Sequence, residues 1–539
     1  MPTGPYKRSI GWSLVFAFLA LALGALFVYP RQWTRGFMIN DEAWYAEPAR
    51  NIAQGRGFST ETVYPMVARG VTSLPIDEPF KQVGYPLVVA WASRVTGTLN
   101  DRLFIVVALI GMAFTGMATW LVADALVRNR TVAGVITLAT IGNPSFWSYW
   151  AAALPESLFT AFFLGGIYLL LCESAAACAG SGVLLVASMY FKGFSVLYLP
   201  LAVGFLLFAA REKRVRLLTS FVSGVVATLA LAAVFLPTAT RQLSGASGSY
   251  AGSMLLFETR GAYPAVEGPF YDISPLNPFT YIAGHPLDYA EKVARMVSRT
   301  KGVMGELGGP GFGNVLFLVL LFVALAVAQD LFSRVRNGWT PDEERGDIAR
   351  TQLRSRLLLA GLLAVNFAFF WAGNFKARYF AHLFPLLLAA AVLEFERLVP
   401  RAKEGFRRTP GVIALVAVGY FLVYPPVAGL WGAYRDPYAF LGRMLPVRWV
   451  DYREVAKNVN ANVPEHGMVM SDMAHEISWY TGRPTVFFPG NENQVTYLLD
   501  KFDVRALYLH PRVTRRWPVL LERFRLVDDR NGEFWVRRD

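Results

Sequence analysis

The feature that most constrains this chain is a series of apolar runs, each close to 20 residues long and bounded by charged residues. A helical run of roughly 20 apolar residues matches the hydrocarbon thickness of a bilayer. The composition agrees, with 54% apolar residues, only 17% charged residues and a mean hydropathy of +0.36. Soluble domains average about 25% charged residues. The sequence therefore predicts an all-α polytopic membrane protein, and it excludes a disordered chain.

Eleven transmembrane helices are predicted. The stretch 182–210 is too long for one span and is interrupted by Lys192 and Gly193, so we expect two short helices that meet at a membrane face. The first run lacks a cleavage pattern and is expected to be an uncleaved anchor. The nine single runs are 10–29, 103–127, 131–150, 155–171, 217–237, 312–329, 357–373, 379–393 and 411–430.

The distribution of Lys and Arg predicts the orientation, because these residues collect in short cytoplasmic connections. The connections assigned to the cytoplasm hold 19 Lys and Arg in 68 residues, whereas the loop 238–311 holds 6 in 74. With the amino terminus inside, the loops 31–102 and 238–311 and the tail lie outside a plasma or inner membrane. The net charge of +13 is therefore chiefly a signal of topology, and nucleic acid is excluded as a partner.

Two domains are predicted: a transmembrane domain, 1–431, which includes both outer loops, and a small extracytoplasmic α/β domain, 432–539. In the tail, β-like runs alternate with helix-like stretches, which is typical of an α/β fold. The β-like runs are 468–471, 485–488, 504–510 and 533–536, and the helix-like stretches are 450–459 and 491–500. The two cysteines, Cys172 and Cys178, are too few for a disulfide framework or a zinc site.

Acidic residues stand where the chain leaves the membrane. Asp41 and Glu42 follow the first span, and two adjacent carboxylates could supply a general base for a hydroxyl acceptor. Helix capping is the structural alternative, because carboxylates favour the positive end of a helix. Glu156 opens a later span and has the same alternative. A carboxylate at the head of an apolar run is costly, however, unless it faces a cavity or a partner.

Several further charged residues are candidates for binding or for packing. Lys192, Lys376 and Arg378 lie on the outer side against the positive-inside trend, where they could bind a lipid phosphate or simply face anionic headgroups. The cluster 76–86 combines acidic, basic and aromatic residues, with interfacial anchoring as its alternative role. In the tail, Asp472, His475 and Glu476 are interpreted as solvated surface. His285 and His382 are single and fit packing roles.

The order and sidedness of these motifs resemble the GT-C membrane glycosyltransferases. The matching features are the Asp-Glu pair at 41–42, the Gly-Tyr-Pro sequence at 84–86, Glu156 at the head of a span and an Arg-Tyr pair at 378–379 upstream of Pro385. The chain looks most like the bacterial branch related to protein O-mannosyltransferases and lipid A aminoarabinose transferases. The similarity covers about residues 1–430, and the outer α/β domain also suits such proteins.

The resemblance implies that a sugar is transferred from a polyprenyl-phosphate carrier to an outer-face acceptor (a glycan, lipid or protein), with inversion. Asp41 matches the acceptor base, Glu42 a supporting acid and Glu156 the second acid. The resemblance also implies donor-phosphate ligands and substrate-binding residues. The former are Lys192, Lys376, Arg378 and Tyr379, and the latter are Tyr45, Asp77, Glu78, Lys81 and Tyr85. Lys192-Gly193 departs from the Arg-Pro pair that is frequent in the family.

No cofactor is required by this chemistry, although the acidic residues are compatible with a divalent cation, which some pyrophosphate-dependent relatives bind. Two other functions stay open. Broken spans with buried charge also suit a transporter or flippase of a lipid-linked substrate, but no internal repeat is evident. An oligosaccharide transferase or polymerase that uses a lipid-pyrophosphate donor is the third hypothesis.

Overall fold

The structure is a computed structural model of the 539-residue chain. It describes residues 5–28, 33, 36–37, 40–209, 211–237, 254–263, 272, 276–308, 313–336, 347–373, 376–398, 450–511 and 517–538. The predicted span 411–430 lies outside these residues. The chain forms two compact units. The first contains Met1–Pro30, Ile105–Thr240 and Met296–Asp436, and the second contains Arg31–Phe104, Arg241–Arg295 and Pro437–Asp539.

The first unit is helical. Four described helices are long and apolar enough to cross a membrane, namely Gly11–Val28, Asp101–Val127, Glu212–Phe235 and Leu353–Ala372, and shorter apolar helices account for other predicted spans. The number eleven stays a prediction. The full helices are Pro5–Val28, Asp101–Val127, Arg130–Ile141, Pro144–Trp150, Glu156–Leu171, Ala175–Met189, Tyr198–Leu207, Arg211–Phe235, Thr300–Gly308, Gly313–Arg336, Asp347–Ala372 and Phe384–Leu398.

Two predicted spans contain breaks in the helix. The run 131–150 is not the single helix expected, because Asn143 caps a new helix by accepting a hydrogen bond from the Ser145 N–H and Pro144 occupies its first turn. The break in 182–210 is confirmed: Lys192 precedes a 3₁₀ turn, Gly193–Leu197, which leads into the next helix. The helix before the break begins at Ala175, earlier than expected.

Small residues allow close helix packing in the first unit. A Cβ atom on Gly224 or on Gly182 would stand less than 3.0 Å from the backbone of the facing helix, at Ala179 and Phe221 respectively. The helices Ala175–Met189 and Arg211–Phe235 therefore approach each other at two glycines. Close approach through small residues is a usual basis of helix association in membranes, where apolar burial supplies little driving force.

Buried charges in the first unit are paired. Arg356 forms ion pairs with Asp330 at 2.9 Å and with Glu394, whose carboxylate accepts two of its N–H groups. Arg354 pairs with Glu173 at 2.7 Å. Such pairing offsets the cost of removing charge from water.

The second unit is an α/β unit built from the tail and from parts of the loops 31–102 and 238–311. Its strands are β1 (Ser59–Thr60), β2 (Thr62–Val63), β3 (Ile76–Asp77), β4 (Met468–Ser471), β5 (Thr485–Phe487), β6 (Val504–Leu509), β7 (Phe524–Asp528) and β8 (Glu533–Arg537). Its helices are Asn40–Ala53, Pro65–Ala68, Gly84–Thr96, Pro278–Gly284, Pro286–Ser298, Tyr452–Asn462, Ala474–Thr481, Glu492–Lys501 and Pro518–Arg523. The four strands and two helices expected in the tail are confirmed, with small shifts of their bounds.

The main sheet has the order β2-β5-β4-β6-β8-β7. The first four strands are parallel, and β8 and β7 follow antiparallel. Neighbouring residues such as Val469 and Met470 face opposite sides, so each side of the sheet has its own apolar core. Strand β2 comes from the first outer loop, and its Thr62 and Val63 lie opposite Thr485 and Val486. The division of the chain at residue 431 stays a prediction, although the described loop residues pack with the tail.

Candidate active site

The first candidate group lies in the second unit, at the start of the helix Asn40–Ala53. Asp41 forms an ion pair with Lys81, whose Nζ lies 2.8 Å from the carboxylate oxygen Oδ1. The Lys81 side chain is only 10% exposed, and the Asp41 side chain is 22% exposed. Glu42, the next residue, is fully buried. Of the two adjacent carboxylates, Asp41 is therefore the one that solvent or a substrate can reach.

Aromatic rings hold Lys81 in place. Its Nζ lies 3.8 Å from the centre of the Trp44 ring and 4.9 Å from that of Tyr45. A cation over an aromatic face is attracted by the ring's quadrupole. The helix thus presents a carboxylate and two rings to one ammonium group.

The other predicted substrate residues divide between surface and core. Asp77 lies in β3 and is exposed. Tyr85 is fully buried, contacts the Tyr45 ring edge-on and donates its hydroxyl to the Phe104 carbonyl at 2.8 Å. Glu78 is buried and accepts the backbone N–H groups of Phe80 and Lys81 at 2.9 and 3.1 Å. Tyr85 and Glu78 therefore make contacts that support the loop, and their role in substrate binding stays a prediction.

A buried chain of polar side chains lies behind this helix, and the sequence did not reveal it. His475 is fully buried, with Nε2 at 3.1 Å from the Tyr64 hydroxyl and Nδ1 at 3.4 Å from Glu47. Tyr64 in turn reaches Glu78 at 3.3 Å. The partners are 411 and 428 residues apart in the chain, so no local pattern could have joined them.

The interpretation of Asp472, His475 and Glu476 as solvated surface is wrong, because all three are buried. Asp472 follows β4 and accepts the backbone N–H of His510 at 2.8 Å. His475 and Glu476 lie in the first turn of the helix Ala474–Thr481, which packs on the sheet.

Burial and pairing shift the pKa values of these hydrogen-bonded side chains in opposite directions. Burial raises the pKa of Glu47, but His475, Arg50 and Thr62 lower it more, and the result is about 2. Burial raises the pKa of Glu78 to about 7, despite two backbone hydrogen bonds and Lys81, which lower it. Burial also lowers the pKa of His475 below its ordinary value. At neutral pH, Glu47 is therefore ionised and His475 is neutral.

The second candidate group lies in the first unit, around Tyr379. Lys192 pairs with Glu156 at 2.8 Å, and both side chains are nearly inaccessible, at 11% and 4% exposure. The other oxygen of Glu156, Oε2, is buried and has no hydrogen-bond partner among the described residues. Glu156 is thus more than a helix cap, because it neutralises a cation and keeps one oxygen for another donor.

Tyr379 lies in the 3₁₀ turn Ala377–Tyr379, and its backbone N–H donates to the carbonyl of Lys376 at 3.1 Å. Lys192 Nζ lies 5.6 Å from its ring centre, and the Arg378 guanidinium lies 5.1 Å from it and donates to its hydroxyl at 3.3 Å. Two of the predicted cationic phosphate ligands therefore contact Tyr379, and the third, Lys376, directly precedes its turn.

His382 is buried beside this group. Its Nε2 lies 2.7 Å from the Tyr198 hydroxyl, which donates to Asn366 at 2.8 Å. Phe159 and Phe163 flank the imidazole edge-on. The expected packing role of His382 fits these contacts, whereas His285 is exposed and stacks on Tyr281. Within the described ranges, no three His, Cys, Asp or Glu side chains are grouped so that they could hold a metal ion.

Comparison with known proteins identifies the fold. No family model matches the sequence, and no curated protein matches it. Among solved structures, the oligosaccharyltransferase AglB from Archaeoglobus fulgidus, in complex with an inhibitory peptide and a dolichol-phosphate, is similar with a TM-score of 0.57 and 12% identity, covering 93% of this chain and 69% of that one. ArnT from Cupriavidus metallidurans, bound to undecaprenyl phosphate, is similar with a TM-score of 0.51 and 12% identity, covering 99% of this chain and 98% of that one.

Both neighbours are GT-C superfamily glycosyltransferases, so the chain has the GT-C fold, and the predicted resemblance is confirmed at the level of fold. The apolar helices and these neighbours also confirm a membrane protein with a small sheet region in its C-terminal part.

Proposed function

We propose that this protein is an inverting glycosyltransferase that moves a sugar from a polyprenyl-phosphate carrier to an acceptor hydroxyl on the outer face of the membrane. The observation that carries the proposal is that Lys192 and Arg378 lie over the Tyr379 ring, with Lys376 at the start of the same turn, in a chain with the GT-C fold. Such a group of cations suits a phosphorylated ligand.

The cations would act on the leaving group. When the bond between the anomeric carbon and the phosphate oxygen breaks, both electrons go to that oxygen, and a phosphodiester monoanion becomes a phosphomonoester dianion. Preorganised cations stabilise charge that develops in the transition state. Lys192, Lys376 and Arg378 would bind this phosphate, with the guanidinium of Arg378 able to bind two oxygens at once.

Asp41 would take the acceptor proton as the acceptor oxygen bonds the anomeric carbon. A base that acts from the side opposite the leaving phosphate gives inversion. Lys81 holds the carboxylate through the 2.8 Å ion pair. Glu42 would support Asp41, and Glu156 would offer Oε2 to a substrate hydroxyl. The proposed substrate contacts are Tyr45, Asp77, Glu78, Lys81 and Tyr85.

Among the lipid-linked donors, the neighbours favour a polyprenyl monophosphate. ArnT is bound to undecaprenyl phosphate, and the two chains cover each other almost completely, at 99% and 98%. AglB is an oligosaccharyltransferase in complex with a dolichol-phosphate and a peptide, and it is longer than this chain, which covers 69% of it. A transporter is not favoured by either neighbour.

The topology belongs to the same proposal. We place eleven spans in a plasma or inner membrane, with the outer loops and the tail on the extracytoplasmic side, because the Lys and Arg residues collect in the opposite connections. The acceptor would be a cell-envelope glycan, a lipid or a protein. As proposed, the reaction requires no metal, so EDTA is expected to leave the rate unchanged.

The test is sugar transfer by the purified protein in liposomes. A panel of labelled polyprenyl-phosphate hexoses and pentoses is offered with lipid, glycan and peptide acceptors, and the anomeric configuration of the product is read by NMR. Asp41→Asn is expected to lower kcat at least 100-fold, since general bases contribute roughly 10²–10⁴-fold. Lys376→Ala and Arg378→Ala are expected to raise KM for the donor and lower kcat.

Matched controls are available on exposed sites. Asp529→Asn and Lys301→Ala replace exposed residues of the same types and should leave transfer unchanged. Transfer by Asp41→Asn at nearly the wild-type rate would overturn the base assignment. Movement of the intact lipid-linked sugar across the bilayer, without transfer, would favour the transporter hypothesis.

A further inference from the structure

His475 links the tail to the first outer loop. It belongs to the helix Ala474–Thr481, and both of its ring nitrogens contact residues of the loop, Glu47 at 3.4 Å and Tyr64 at 3.1 Å. The same two helices are joined by Arg50, which donates to the carbonyl of Ser478 at 3.2 Å. The position of the loop helix therefore depends on groups supplied by the tail.

Trp44 carries this link to the Asp41 side chain. The imidazole of His475 stacks on the Trp44 ring, with centroids 4.9 Å apart and planes 18° apart. The same ring lies 3.8 Å from Lys81 Nζ, which pairs with Asp41 at 2.8 Å. On a helix, residues three apart lie on one face, so Asp41, Trp44 and Glu47 form a continuous row from the ion pair to the imidazole.

The hydrogen bonds of His475 have a defined direction. Burial lowers the pKa of His475. The partners of Glu47 outweigh the effect of its burial and lower the pKa of Glu47 to about 2. A neutral imidazole has one N–H, and an ionised carboxylate can only accept. Nδ1–H therefore donates to Glu47, and the unprotonated Nε2 faces the Tyr64 hydroxyl, whose other contact is the Glu78 carboxyl. Only a ring with one donor and one acceptor satisfies both contacts without a net charge.

We infer that His475 is a positioning residue for sugar transfer: it fixes the Trp44 ring, and the ring fixes Lys81 against Asp41. The inference rests on the proposed role of Asp41 as acceptor base. It assigns the tail a part in the reaction that needs no contact between the tail and the substrate. A carboxylate that is displaced by even 1 Å from its reacting atom loses much of its effect, because transfer requires near-attack distances of about 3–3.5 Å.

The first test compares His475→Ala with His475→Gln in the liposome transfer assay. His475→Ala is expected to lower kcat at least tenfold, while KM for the polyprenyl-phosphate donor changes less than twofold. His475→Gln is expected to recover most of the lost kcat, because an amide also offers one donor and one acceptor. His466→Ala is the control, since His466 lies in the same part of the tail and is exposed.

A double variant separates positioning from a general loss of structure. If His475 acts through Asp41, adding His475→Ala to Asp41→Asn should lower kcat by less than threefold beyond Asp41→Asn alone. Independent roles would instead multiply the two losses. Multiplied losses, or a His475→Ala variant with wild-type kcat, would overturn the inference.

A second measurement does not depend on transfer. The folded protein is treated with acetic anhydride, and acetylation of Lys81 is followed by mass spectrometry. Lys81 should be acetylated at least fivefold faster in His475→Ala than in wild type. In His466→Ala its acetylation rate should stay at the wild-type value. Wild-type protein that transfers no sugar would refute the proposed function. An unchanged Lys81 rate would refute the positioning role of His475.

Discussion

At the scale of single residues, the second unit buries four ionisable side chains in one hydrogen-bonded chain, namely Glu47, His475, Tyr64 and Glu78. The residue types and spacings of the first loop indicate Asp41 and Lys81 as candidate site residues, but they do not predict the ion pair between them. The sequence does not predict the contact between Glu47 and His475, because the two residues are 428 positions apart and meet only in the folded core. Periodicity and motif spacing carry no information about such a contact.

The pKa of Glu78 predicts a pH dependence of stability. Tyr64, Glu47 and Lys81 face this carboxyl, and burial raises its pKa from 4.5 to about 7. A raised pKa stabilises the fold below pH 4.5, and this stabilisation is lost as the pH rises through 7. With 1.36 kcal/mol per pKa unit, the full effect is on the order of 3 kcal/mol.

The measurement is the free energy of unfolding of wild type and Glu78→Gln in detergent between pH 5 and 8. His475 titrates with the opposite sign, because burial lowers its pKa, so the two proteins are compared at each pH. Between pH 5 and pH 8, the free energy of unfolding of Glu78→Gln should rise by about 2–3 kcal/mol relative to that of wild type, because Gln does not titrate. A constant difference between them would contradict the assigned pKa.

The Lys192–Glu156 pair allows stability and activity to be separated. Lys192→Met alone would leave Glu156 buried without its partner, and breaking a buried ion pair costs roughly 3–5 kcal/mol. The double variant Lys192→Met/Glu156→Gln should recover most of this free energy of unfolding. It should still fail to transfer sugar, because a proposed ligand of the donor phosphate is lost. Recovery of both stability and transfer would show that the pair has only a structural role.

At the scale of elements, alternation and apolar length predict four of the five strands of the tail and the break at Lys192, but not β7. Two further exceptions have different causes, a partner that is distant in sequence and a local helix cap. Strand β2 has two residues, Thr62 and Val63, too few for a pattern, and it exists because β5 offers it a parallel edge. Hydropathy does not predict the break at Asn143, because apolar residues continue on both sides of the cap.

Helix contact in the first unit gives an element-level prediction. Gly224→Ala would place a Cβ against the backbone at Ala179 and should destabilise the protein by about 1–3 kcal/mol, the usual cost of overpacking. Gly204→Ala is the matched control, because a Cβ there meets nothing within 4 Å. A helical Gly→Ala change without a clash stabilises by about 0.4–1 kcal/mol. Equal unfolding free energies for the two variants would contradict the close approach.

At the scale of the whole molecule, the charge distribution predicts the topology, and the comparison with solved structures identifies the fold. The distribution of basic residues predicts that the tail is outside and that the connection 211–216 is inside. Single cysteines can test this in a protein that carries Cys172→Ser and Cys178→Ala. Glu465→Cys should react with an impermeant maleimide on intact cells, and Lys213→Cys should react only after lysis. The reverse pattern would invert the topology.

The parallel pairing of β2 with β5 has a consequence for how such proteins diversify. Because a strand and a helix of the first loop are built into the same sheet unit as the tail, the tail is not a module that recombination can exchange alone. A chimera that imports only the tail of a relative would inherit a sheet edge and a buried imidazole without their counterparts. Functional exchanges should therefore carry the loop and the tail together, although hundreds of codons separate them.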